Sequence, residues 1–325
     1  MNGTAGASGG PGSSGASGTA GVAGASGGAS GSAGNGTGTA GATGAAGTAT
    51  GAAGAGGTTG ASGSGGAAGG TGAGGTTSVA DGGAGAGGAK DGGTDVAALA
   101  KFSFFETSLA AMQRLSGSQN GFGGDLRYGQ ADGLSGADKI CRDTAEASMP
   151  GASAKGWHAF LSAAAGPGGA PVNAIDRIGG GPWYDRLGRV VAMNKAALLH
   201  DRPTGADPVI INDLPNEDGV PNHRPDPSMP EVDNHHALTG SDAQGHLYSA
   251  TATCASWTST AKTAGRPRIG FSWPEASRVN WISGQDEGGC GAGVNLIQTG
   301  GSDPNNPIVG SGGGYGGIYC FADVP

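Results

Sequence analysis

The sequence predicts an α+β domain over residues 98–325, carried behind a low-complexity tract over residues 1–97. Three observations carry that prediction. Nearly every residue through Val96 is Gly, Ala, Ser or Thr, whereas every Trp, Tyr, Phe, His and Cys lies downstream, so only the second part can bury a core. The apolar runs there are short and widely separated, as the strands of small sheets are. Between them stand a few segments of helical periodicity, without the regular strand–helix alternation of a parallel α/β fold.

In the leading tract Gly recurs at every third position from Gly3 to Gly27, from Gly28 to Gly34, from Gly38 to Gly47 and from Gly51 to Gly75, with a register slip at each break. A triple helix needs Gly at every third position and proline to hold each chain extended, and Pro11 is the only proline of the tract. The tract therefore reads as a flexible tether with a root-mean-square span of roughly 55 Å. A collagen-like oligomerising stalk is the alternative.

The domain opens on a strand signal at Phe102–Thr107. A helix is expected at Ser135–Ala147, opened by a Ser135/Asp138 capping box, with Ala137, Ile140, Cys141, Thr144 and Ala145 on one face. Strands are expected at Trp157–Ser162, Arg189–Ala192, Ser249–Trp257, Val294–Gln298 and Ile318–Phe321, and short helical turns at Asn173–Ile178 and Lys195–Leu199. Asp201–Asn234, with seven prolines and many acids, reads as an exposed loop.

Cys141, Cys254, Cys290 and Cys320 include no C-x-x-C, which argues against a zinc knuckle. They form either two bridges, in one of three pairings, or four buried thiols. A nested pattern, Cys141–Cys320 around Cys254–Cys290, would tie the first helix to the last strand, and bridges imply an oxidising compartment. Downstream of Val96 the chain has 16 basic and 22 acidic residues and no basic stripe, so neither nucleic acid nor an anionic membrane is the expected partner. No apolar run is long enough to cross a membrane, and no signal-peptide core follows Met1. A lead of this kind suits a domain displayed outside the cell, so the true start is expected upstream of Met1, with a cleaved signal or a lipid anchor.

The runs "GLSGADKICRDTAEASMPGASAKGWHAFLS", "LTGSDAQGHLYSATATCASW" and "GGCGAGVNLIQTGG … GGIYCFA" resemble endostatin, the C-terminal domain of certain collagens. "FFETS", "RIGGGPWYDRLGRVVA" and "GIYCFA" resemble more closely the endostatin-like lipoproteins of spirochaetes and myxobacteria, a family of unassigned function. The resemblance covers about Phe102 to Ala322. It implies a C-type-lectin-like fold of two small antiparallel sheets, two helices, long loops and the nested disulfides. Endostatin's zinc histidines and heparin-binding arginines have no counterpart here, since "KFSFFETSLAAMQRL" contains no His and the nearest basic group is Lys262, Arg266 and Arg268.

Asn212, Asp213, Asn216, Glu217 and Asp218 offer oxygens that suit Ca²⁺, without an EF-hand pattern or the signatures of sugar-binding C-type lectins. A solvated loop is the competing reading, and no cofactor is expected beyond that Ca²⁺ alternative. His223, His235 and His236 with Asp233 suit a transition metal, against ordinary hydrogen-bonded histidines. Trp157, Trp183 and Trp257 read as core, whereas Trp273 and Trp281 flank "PEASRVN" and are candidates for a stacking face, with core packing the favoured alternative. No nucleophile elbow, metalloprotease motif or phosphate loop is present. The expectation is a non-catalytic binding module for a glycan or extracellular protein, recognising its ligand through Asp213, Glu217, Asp218, Trp273 and Trp281.

Overall fold

The computed structural model describes residues 92–275, 278–297 and 301–323. Residues 1–91 of the expected tether, and Gln298, lie outside them. An α+β domain is present, built on strand β8 (Gly314–Ala322), whose nine residues are all buried. Alternation along β8 explains its central place: Ile318, Cys320 and Ala322 join one apolar cluster, while Tyr319 and Phe321 join another. Strand β1 (Phe104–Glu106) and strand β2 (Trp157–Ala159) both pair antiparallel with Cys320 and Phe321, so they occupy opposite edges of β8. Strand β5 (His236–Leu238) pairs parallel with β8, and β6 (Arg268–Phe271) and β7 (Gln285–Asp286) extend the sheet to six strands. A separate two-stranded ribbon joins β3 (Trp183–Tyr184) to β4 (Val190–Ala192). The parallel pair departs from the two purely antiparallel sheets that the sequence resemblance implied.

On one face of the sheet the helix α3 (Gly133–Ser148) packs Ala137, Ile140, Cys141 and Ala145 against β8 and Trp157. The face expected for this helix is the one it buries, but its start differs. Asp132, not Ser135, is the N-cap, and its carboxylate accepts from the Ser135 N–H at 2.9 Å and the Ser135 hydroxyl at 2.7 Å. Asp138 is thereby free to bind Arg177 at 2.7 Å and the Ala159 N–H at 2.9 Å, fastening α3 to β2. The other face carries an aromatic cluster of Phe104, Phe160, Trp183, Trp281, Tyr319 and Phe321, closed by helical turns α4 (Ala174–Arg177) and α5 (Lys195–Leu198).

Helix α1 (Gly92–Lys101) begins inside the low-complexity tract, and its Leu99 packs on the core. Helix α2 (Leu109–Ser116) was not anticipated, although its caps stand in the sequence: Ser108 accepts from Ala111 N–H, and Gly117 closes it at φ 66°. The strand expected at Ser249–Trp257 is instead a 3₁₀ turn (Ala250–Thr253) and a turn at Cys254–Trp257 with every φ positive. Cys254 and Trp257 are both fully buried, and a three-residue spacing puts two side chains on one side only if the backbone turns. Asn295 makes a single bridge to Gly314, so Val294–Ile297 is not a strand. Cys141 is joined to Cys320 and Cys254 to Cys290, with Cα separations of 5.5 and 5.6 Å, so the nested pattern is the one present.

Candidate functional site

The segment from Asp201 to Asn234 is anchored rather than loosely exposed. Ile210, Leu214, Asn216, Asn222 and Val232 are buried, while Arg224 to Glu231 form its longest exposed run. Asn216 shapes its centre: its side-chain oxygen accepts from Asp218 N–H at 3.0 Å and Val220 N–H at 3.1 Å, and Gly219 supplies the left-handed φ of 74°. Asp233 then gathers the two ends, meeting His223 Nε2 at 2.9 Å and His235 Nδ1 at 2.7 Å. Burial opposes ionisation of Asp233, but the hydrogen bonds from His223 and His235 prevail and hold its carboxyl far below the usual range. His223 also stacks flat on Trp273 at 3.9 Å, so Trp273 contributes to this clamp.

The three acids expected to recognise a ligand have different partners. Glu217 is buried and accepts from the Ser108 N–H at 2.9 Å and hydroxyl at 2.5 Å, which fixes the start of α2. Asp218, exposed, accepts from Ser148 Oγ at 2.9 Å. Asp213 accepts from the His223 N–H at 3.0 Å. Burial raises the pKa of both Asp213 and Glu217. Among the described residues no group of three or more His, Cys, Asp or Glu is arranged to hold a metal ion. Trp281 is 0% exposed, and its indole N–H donates to the Leu198 carbonyl at 2.8 Å. It fills the aromatic core and offers no stacking face, which corrects the expectation for that residue.

What this segment does form is a cleft against α2, about 300 Å³ in volume. Leu109, Met229, Val232 and Leu296 supply apolar walls, and Asn222 and Asn234 line it as well. Asn222 donates to the Tyr315 hydroxyl at 2.6 Å, which donates to the Thr107 carbonyl at 2.7 Å, so the Asn222 side chain is held firmly. The side-chain oxygens of Asn222 and Asn234 are buried and make no hydrogen bond among the described residues. Two acceptors in an apolar setting favour a ligand that brings N–H donors together with an apolar group.

Beneath the cleft Glu106 sits on β1 at 0% exposure. Burial pushes its carboxyl up to about 8, with Asn222, Ser272 and Arg202 moderating the shift and Asp213 adding to it. Neither carboxyl oxygen makes a hydrogen bond of normal geometry, and the Ser272 and Tyr319 hydroxyls are likewise unpartnered. Arg202 closes the nest, donating to the carbonyls of Ile211 at 2.8 Å and Ser272 at 2.5 Å. Sequence reasoning placed Glu106 only within a strand signal. The cue it offered was an acid set directly behind two phenylalanines in a run too apolar to be half-solvated. No family model matches the chain, and no curated protein matches it.

Proposed function

We propose that the chain is a non-catalytic binding module of the endostatin-like, C-type-lectin-like type, displayed outside the cell on its Gly-rich lead, and that its cleft beside α2 takes an extended peptide segment of another protein. In this reading an apolar side chain enters between Leu109, Met229, Val232 and Leu296, while the peptide's N–H groups donate to Asn222 and Asn234. The observation that carries it is a cleft with mostly apolar walls, lined by two asparagines whose buried side-chain oxygens lack donors. Exposed Asp218, Asp226 and Glu231 surround the segment and favour basic residues beside the anchor. The two disulfides support an oxidising compartment. Support for a non-catalytic role comes from the polar groups themselves: Glu217 caps a helix, Asp233 joins two histidines, and His236 Nδ1 is bound to Glu287 at 2.5 Å in full burial.

Selection from a displayed random-peptide library against the full chain tests the proposal. The expected result is enrichment of sequences with a bulky apolar residue next to Lys or Arg, binding about tenfold or more weakly to Met229→Asp and Asn234→Leu. Met229 is 41% exposed, so its substitution leaves the core intact. Absence of enrichment, or selected peptides that bind both variants as tightly as the native chain, contradicts it.

A further inference from the structure

A second, larger cleft of about 520 Å³ is formed by the connection between α2 and α3, around Phe122, Asp125, Arg127, Tyr128 and Gln130, with Thr260. None of its lining residues belongs to the cleft described above. Its base is a rigid construction in which glycines permit close backbone approach. A Cβ on Gly124 would meet Cys254 Sγ at 2.6 Å, one on Gly123 would meet the Ala292 backbone at 2.7 Å, and one on Gly136 of α3 would collide with the Leu126 carbonyl. Gly124 N–H donates to the Cys290 carbonyl and Leu126 N–H to the Trp257 carbonyl, each at 2.9 Å. The connection is thus pinned to both halves of the inner disulfide.

The disfavoured backbone of the domain gathers at the same place. The non-glycine residues with positive φ among the described residues are Tyr128, at 42°, and Cys254, Ala255, Ser256 and Trp257, at 47° to 64°. A bulky aromatic residue in the left-handed region is uncommon, and such conformations persist where the surroundings impose them, most often at binding and catalytic sites. Here the consequence is the position of the Tyr128 ring. It packs edge-on to Phe122 at 5.5 Å, with Lys139 Nζ 3.8 Å from its centre, and both rings remain partly exposed. Beside it Arg127 makes two bonds to Asp125, Nε at 2.9 Å and the terminal nitrogen at 2.5 Å. Gln130 is exposed, and the space where Gly129 would carry a Cβ is open.

We propose that this cleft binds a neutral saccharide, one pyranose ring lying against Tyr128 and Phe122 with its hydroxyls bonded to Asp125, Arg127 and Gln130. A pyranose has an apolar face of C–H groups and a rim of hydroxyls that both donate and accept. The exposed surfaces of the Phe122 and Tyr128 rings, with Lys139 over one face of Tyr128 and one carboxylate, one guanidinium and one amide beside them, match both features at once. Asp125 and Arg127 neutralise each other, Lys139 is paired with Asp143 at 2.6 Å, and the chain carries a net charge of −8, so a sulfated or uronic polymer is disfavoured. Fixing the aromatic and polar groups before binding limits the ordering cost of a weakly interacting ligand.

Saturation-transfer NMR on the full chain, with maltohexaose, cellohexaose and chitohexaose as neutral probes and a heparin hexasaccharide as the anionic one, decides the matter. At least one neutral probe is expected to bind, with affinity falling about tenfold in Arg127→Ala and in Tyr128→Asn and unchanged in Met229→Asp. Asparagine tolerates the left-handed conformation, so Tyr128→Asn removes the ring without disturbing the backbone. The proposal is overturned if no neutral probe receives saturation, if heparin binds more tightly than all three, or if binding survives both substitutions. Because Met229→Asp disables only the peptide cleft, failure here is separable from failure there.

Discussion

Glu106 is the residue at which the interior of this domain is least balanced. Its unfolded-state carboxyl ionises near 4.5, whereas burial holds the folded one up to about 8. Between those values the folded chain keeps a proton that the unfolded chain has released, so the contribution of Glu106 to stability is full below about pH 4.5 and is lost as pH rises toward 8. Each pH unit across that window removes roughly 1.4 kcal/mol, so the loss amounts to a few kcal/mol. Glu106→Gln, which resembles the protonated carboxyl, is expected to flatten this slope and to be more stable than the native chain at pH 8. Parallel stability profiles for the two proteins from pH 5 to 8, measured by chemical denaturation, would show that Glu106 is not buried as described. Asp233 acts in the opposite sense, because its depressed pKa gives stability present at neutral pH and lost on acidification.

Among the elements, α3 and the strands β1, β2, β4 and β8 were legible, whereas β5, β6 and β7 were not. Ala137, Ile140, Cys141 and Ala145 repeat at helical spacing, and "GGIYCFA" is apolar enough to be read as a central strand. Strands β5, β6 and β7 are two to four residues long, and their burial comes from neighbours rather than from alternation. Gly270 in β6, for example, is required because a Cβ would collide with the Trp281 carbonyl. The left-handed turn at Cys254–Trp257 contains no glycine and so left no mark in the sequence. Trp281 stands in the run "RVNWISG", which left a stacking face open beside core packing, and its indole completes the core. The segment 201–234, where recognition was expected, lines a cleft with Leu109, Met229, Val232, Asn222 and Asn234, and of the three expected acids Asp218 alone lines it.

The disulfides act at this same scale. Loop entropy predicts that the outer bridge, spanning 179 residues, contributes up to about 5 kcal/mol and the inner one, spanning 36, up to about 4. The inner bridge also holds a disfavoured turn, and releasing that turn offsets part of its contribution. Urea denaturation should therefore find Cys141→Ala/Cys320→Ala clearly less stable than Cys254→Ala/Cys290→Ala. The reverse order would contradict both the loop-length ranking and the cost assigned to the left-handed turn.

At the scale of the molecule, two of the domain's clefts share no lining residue, one reaching α2 at Leu109–Gln113 and the other at Ser116. Each is fixed by features far apart in the chain: the Asp233 clamp for one, the inner disulfide and its glycine contacts for the other. That arrangement suits a head whose core is settled independently of what its loops recognise. The long Gly-rich lead, read from the sequence as a tether, suits the same use. Amide hydrogen exchange of the full chain, with and without a peptide selected against it, tests the central claim most directly. The account predicts added protection at residues 109–113 and 222–234, with residues 121–130 unchanged. Protection confined to any other part of the domain, or none at a saturating peptide concentration, would contradict it.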